Sequence, residues 1–399
     1  MTKSDRKKLF GGSGYFLSQP HQPFFLSGIL WALAAMVLFA GGYLGGVPLL
    51  VPPQFFHAYS MLFMVFTPFF TGFIFTTFPR FCQSMPIARS GYTRIFFLSQ
   101  IGSLLVALGA VTVPALLALG VLIVFGSHLL VVMQLQRSYT TGVTSHATSD
   151  PLWILVGFYS GLAAHLLFVA EAAEGALGGS IGLFPIAAGI GFWLYLVFVA
   201  FAVAQRMVPF FSHVMTPKQR GFSAVVFSLL VLKVLFGSAA LAWPEIMTDI
   251  VLAIYILREL LRWKLPLFRS PAILWVLHLA LFWLPAALLA GAAADIIARV
   301  SGGSIGWLQL HLAAIGFLTL LLIGFGTRVA LGHSGQTPHA DTFAAALFWL
   351  VQAVALLRAA YALDTRQTWL FDLSFGAWLL LFILWAWRFG PVLVTGKKL

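Results

Sequence analysis

Ten histidines are spread through a chain of 399 residues that is 61% hydrophobic and 9% charged. Two of them occupy matching places. His57 stands near the start of the apolar run Phe55 to Phe78, and His311 near the start of the run Trp307 to His333. An imidazole in hydrocarbon is costly and needs a partner. Haem iron is commonly held by axial histidines, so the chemistry open to this pair is axial ligation of one b-type haem. The competing reading is two membrane histidines bonded to backbone carbonyls. His165 and His278, in other apolar runs, are further metal candidates, with His128 beside them. For each the alternative is an interhelical hydrogen bond, common for polar groups in helix bundles. Trp275 and His278 lie one turn apart on one helix face.

Arg206 and Arg328 stand at the inner ends of their runs. They could bind haem propionates or another anion, or snorkel to lipid headgroups. His333, in the turn-like Gly332-His333-Ser334-Gly335, could join them in a second site at that end, with His21 approaching the same region. His146, His213 and His339 fall between apolar runs and are expected to face solvent. Phe55, Phe56, Phe63, Phe66, Phe69 and Phe70 could wall a haem pocket or serve as ordinary packing.

The elements that position these residues follow from composition. Mean hydropathy is +0.98, and a run of about 20 apolar residues is long enough to cross a bilayer as a helix, satisfying its own backbone hydrogen bonds. Twelve such runs are expected, near residues 24–44, 55–78, 93–110, 113–135, 151–170, 182–211, 221–241, 244–262, 272–293, 305–331, 342–362 and 367–388. The fold class is therefore all-α, a polytopic membrane helix bundle, read as a single integral membrane domain over 1–399. The loop 136–150 is too short to fold alone, and no internal repeat is visible.

The loops sort by charge. Lys3, Arg6, Lys7, Lys8, Arg80, Arg89, Arg94, Arg137, Lys218, Arg220, Arg262, Lys264, Arg269, Arg328, Lys397 and Lys398 fall on one side. Glu171, Glu174, Glu245, Asp249, Asp295 with Arg299, and Asp364 with Arg366 fall on the other. The basic side is cytoplasmic by the positive-inside rule, which puts both termini there. The second and tenth spans then both run inward from the outer face. His311 lies ~9 Å into its span, level with His57, whereas Arg328 is ~25 Å further along the helix.

The net charge of +12 flanks membrane spans and does not point to nucleic acid. A single cysteine, Cys82, excludes an internal disulfide and a Cys-based metal cluster. The basic start runs into Gly and Ser and then a full-length apolar run, so no cleavable signal peptide is expected. Carboxylates are scarce within the spans. Glu171, Asp341 and Asp372 sit near helix ends, so proton pumping of the oxidase kind is not expected.

Two resemblances follow from particular residues. His57, Met61, Phe63 and Pro68 have the spacing of the second helix in the catalytic subunit of haem–copper oxidases. Gln309-Leu310-His311 resembles the His-x-His of helix ten, with Gln309 at the position of the high-spin haem ligand. This resemblance implies His57 and His311 as axial ligands of a low-spin haem. The copper-ligand histidines of helices six and seven have no counterpart here.

Across nearly the whole chain the sequence also resembles the NnrS family of bacterial twelve-span membrane proteins, associated with haem, copper and the response to nitric oxide. The matching segments are Pro23-Phe24-Phe25-Leu26, Arg206-Met207-Val208-Pro209-Phe210-Phe211, Trp275-Val276-Leu277-His278-Leu279, and His311 followed by Thr327-Arg328-Val329-Ala330-Leu331-Gly332-His333-Ser334-Gly335. The family's His-Ala-His-Glu-Met of helix two reads His57-Ala58-Tyr59-Ser60-Met61 here, and the final Arg of its tenth-helix motif is Gln336. The resemblance implies a multi-pass protein of the bacterial inner membrane that acts in nitrosative stress, with haem b, copper as a second metal, and nitric oxide as its ligand. A bis-His iron favours electron transfer over gas binding. Two other classes stay open: a secondary transporter of a small or anionic solute with Arg206 and Arg328 as clamps, and a nitric oxide- or quinol-linked oxidoreductase.

Overall fold

The apolar runs fold as helices because only a helix satisfies its backbone groups without water. The computed structural model describes residues 14–146, 148–214, 216–302 and 305–398, and among these no strand occurs. The basic stretch Lys3, Arg6, Lys7 and Lys8 lies outside the described residues. The helices are α1 (His21–Tyr43), α2 (Pro53–Cys82), α3 (Arg89–Val111), α4 (Pro114–Thr141), α5 (Asp150–Ala176), α6 (Phe184–Phe211), α7 (Phe222–Ser238), α8 (Ala242–Trp263), α9 (Ala272–Ser301), α10 (Leu308–His333), α11 (Thr342–Leu363) and α12 (Thr368–Thr395). Each overlaps one of the expected runs. Ten are long and apolar enough to cross a membrane; α7 is apolar but has 17 residues, and α8 carries several charges.

Local sequence sets the ends. Proline occupies the first turn of α2, α4, α5 and α6, where its missing N–H costs nothing. Asp341 caps α11 by accepting a hydrogen bond from the Ala344 N–H at 2.9 Å, as a short polar side chain does at an N-cap. Glu171 accepts from the Ser180 hydroxyl and the Leu183 N–H, which ties the end of α5 to the start of α6. Several helices run past the expected limits: α4 continues to Thr141, which places His128 at mid-helix.

By contact the chain divides into two compact units. One comprises Met1–Gly191, Val329–Gln336 and Phe382–Leu399; the other comprises Phe192–Arg328 and Thr337–Leu381. In the first, α3 and α4 pack at backbone distance. A Cβ at Gly109 would stand 2.1 Å from the Leu117 nitrogen, and one at Gly120 would stand 2.6 Å from the Val106 nitrogen. Small residues at membrane-helix contacts permit this approach.

Three helices stand apart. Within α2, α6 and α10, 78% of the central apolar window is buried, against 33–44% for α1, α3, α4, α5, α11 and α12. The same three each widen into a π-helical stretch, at Ser60–Phe66, Ile190–Val197 and Leu312–Thr319. In α2 the cause is Pro68, which cannot donate to the carbonyl one turn back. Thr67 covers the mismatch by giving its hydroxyl to the Leu62 carbonyl, five residues earlier, at 2.7 Å. Thr319 does the same for Ala314 in α10 at 2.8 Å.

Candidate functional site

In the first unit, three polar side chains from three helices meet in an apolar interior. Tyr59 of α2, His128 of α4 and His165 of α5 are at most 1% exposed. The Tyr59 hydroxyl lies 3.0 Å from His165 Nε2, and His165 Nδ1 lies 3.3 Å from His128 Nδ1. A phenol donates most readily, so Tyr59 O–H gives its proton to Nε2. The His165 proton then sits on Nδ1 and is donated to His128. One assignment of donors thus links three uncharged groups in a chain and leaves the His128 proton on the buried Nε2, which has no hydrogen-bond partner among the described residues. The Phe63 ring stacks on His165 at 3.8 Å and 22°. Phe55 packs against Phe168 and Phe184, and Phe69 against Phe25 and Phe382, so several of the α2 phenylalanines build this interior.

His57 is partly buried one turn into α2, with its ring 4.3 Å from that of Phe39. Ser60 donates its hydroxyl to the His57 carbonyl at 3.1 Å, where the π-helical stretch begins. At the opposite end of α2, His21 and His333 come together, their ring centroids 4.5 Å apart. The expectation that His21 approaches His333 is met, though His21 is the first residue of α1 and not a residue preceding it. His333 Nδ1 donates to the Val329 carbonyl at 3.1 Å. His21 Nδ1 is buried and has no hydrogen-bond partner among the described residues.

In the second unit, His311 occupies the first turn of α10 and is partly buried. Its Nδ1 donates to the Trp307 carbonyl at 2.8 Å. That bond places the proton on Nδ1 and leaves Nε2 unprotonated, the form in which an imidazole binds a metal. His278 of α9 is fully buried between hydroxyls, with Ser212 Oγ 2.6 Å from Nε2 and Ser270 Oγ 3.5 Å from Nδ1. Trp275, one turn away, packs instead on Phe348 and Trp349 of α11. The Arg328 guanidinium lies over the Phe211 ring at 4.0 Å, a cation–π contact. Arg206 lies partly buried on the last turns of α6, about one and a half turns before Phe211. His146, His213 and His339 are exposed. His57 belongs to the first unit, and His311 to the second.

The second unit also holds a buried charged group outside the histidine and arginine candidates. Lys233 of α7 is 2% exposed and bonds Asp249 Oδ2 at 2.8 Å and Glu245 Oε1 at 3.2 Å. Gln309 of α10 donates its amide to the same Asp249 oxygen at 2.6 Å. Carboxylates counted as loop charges are thus helical, and Asp249 is fully buried. The signal was available. Lys233 is the one basic residue in the middle of an expected span, and an intramembrane lysine marks a site unless shown otherwise.

The donor sets bear on metals differently. Among the described residues no group of three or more His, Cys, Asp or Glu is arranged to hold a metal ion. His128 and His165 supply two imidazoles whose facing nitrogens already bond each other, which is short of the ligand number a tight copper site uses. His311, with its second nitrogen anchored, suits a haem iron. The family described as NnrS protein matches residues 15–397 of this chain. No curated protein matches it.

Proposed function

The chain belongs to the NnrS family, and on that premise we propose a membrane protein of the nitric oxide response that carries a b-type haem on His57 and His311. The multi-pass helical structure and the family match support the membrane location and the nitric oxide role. The observation that carries the haem assignment is the equivalence of two helices. His57 and His311 each lie in the first turns of an enclosed helix, and each is followed within three residues by a π-helical stretch. Such stretches gather at functional sites.

A haem held by His57 and His311 would supply one-electron chemistry. The chain's own part is orientation. Trp307 holds the His311 ring by its carbonyl, and Phe39 packs against the His57 ring. Arg328, ~25 Å from His311 along α10, and Arg206 of α6 are assigned to an anionic group at the inner ends of α6 and α10. All twelve helices are taken as spans, in an oxidase-like bundle in the bacterial inner membrane, with both termini cytoplasmic.

Haem content tests the reading. Purified protein should carry haem b in a fixed ratio to the chain. Haem-free protein would shift the reading to a secondary transporter, which the buried Lys233–Asp249 pair would suit. Nitric oxide consumption with an artificial electron donor would shift it to an oxidoreductase.

A further inference from the structure

From the charges around Lys233 we infer a second site, apart from the histidines: a proton-binding site in the membrane-embedded part of α7, α8 and α10. One ammonium faces two carboxylates, Asp249 and Glu245, which leaves one negative charge uncompensated. The shortage is local. Asp295 and Arg299, the other charges facing this region from α9, are exposed and of opposite sign, and Gln309 from α10 is neutral. The Lys233 ammonium also lies 4.7 Å from the Trp193 ring centroid, which holds it in place without adding charge.

The atom that would take the proton can be named. Asp249 Oδ2 already accepts from Lys233 and Gln309. Asp249 Oδ1 is buried and has no hydrogen-bond partner among the described residues, in a residue with 0% exposure. A buried carboxylate oxygen without a donor is a costly arrangement. A proton on Oδ1 removes the surplus charge and leaves both existing bonds to Oδ2 intact. Glu245, whose side chain is 29% exposed, bonds Lys233 from the rim and gives the entry side.

The site is built into the packing. Gly291 of α9 leaves room for Gln309, since a Cβ there would lie 2.6 Å from the Gln309 amide nitrogen. The ligand is a proton and not a metal cation, because the ammonium occupies the place between the carboxylates that a cation would take.

Infrared difference spectra of the full-length protein in membranes, titrated with acid, test this. The expected result is the C=O stretch of a protonated carboxyl, shifted in heavy water, lost in Asp249→Asn and retained in Glu245→Gln. Lys233→Met should keep the band and move its titration midpoint at least tenfold in proton concentration toward higher pH. A second measurement covers misfolding of Asp249→Asn: carbon-13 labelling of Asp in the wild type must shift the band. No Asp band at any pH would overturn the inference. So would a band that follows sodium concentration and not pH. Haem content is unaffected by either result, so this site and the haem reading fail separately.

Discussion

Tyr59 decides what the pair His128–His165 can do. Its hydroxyl supplies the proton that sets the tautomers of both imidazoles. Tyr59→Phe leaves a buried His165 nitrogen without a donor, and the expected loss of stability is about 1–3 kcal/mol, read as a lower midpoint of thermal unfolding. An unchanged midpoint would mean that the chain of bonds contributes nothing. The resemblance places a histidine at position 59, so Tyr59→His should add a third imidazole facing His165. Metal content after dialysis against copper should then rise above wild type, and equal content would argue against a metal role for this cluster. The separate histidines were readable in the sequence as polar groups in apolar runs. Their meeting was not, because it depends on the register of α4 against α5. Lys233 was readable and passed over, because sorting charges into loops takes no account of a charge inside a span.

The π-helical stretches belong to whole helices. Pro68 announces the one in α2, but no residue in α6 or α10 does so. In α10 the widened turn includes Gly316, where a Cβ would lie 2.5 Å from the Trp283 ring. Trp283 in turn donates to Gln352 of α11 at 2.6 Å. Gly316→Ala should push the indole aside and strain that bond, at a cost of about 1–3 kcal/mol for overpacking. Thermal unfolding of the variant checks this, and a midpoint equal to wild type would show that the ring can shift freely. The helices themselves were legible because apolar length is a strong signal. Their ends were less so, although α5 and α12 stop where Gly178 and Gly396 take positive φ.

For the molecule as a whole, the charge pattern makes the clearest statement. Basic loops alternate along the chain with segments that are uncharged or acidic, and Arg366 hydrogen-bonds Asp364 and so holds its carboxyl below the usual range. Cys82 is buried, so a Cys82→Ser background allows single exposed cysteines to report sidedness. An impermeant thiol reagent on intact spheroplasts should label Thr365→Cys and spare Arg137→Cys until the membrane is opened. The reverse order would invert the topology and place His57 and His311 at the inner face. Composition also made the membrane class legible, but it could not show the division into two units, which depends on contacts distant in sequence.

The central claim is the axial pair, and the absorption spectrum of the purified protein tests it most directly, oxidised and reduced, for wild type, His57→Ala, His311→Ala and His278→Ala. The account predicts a low-spin haem b spectrum that each of the first two substitutions abolishes or converts to high spin and that His278→Ala preserves. A wild type without a Soret band, or a spectrum indifferent to both His57→Ala and His311→Ala, would contradict it.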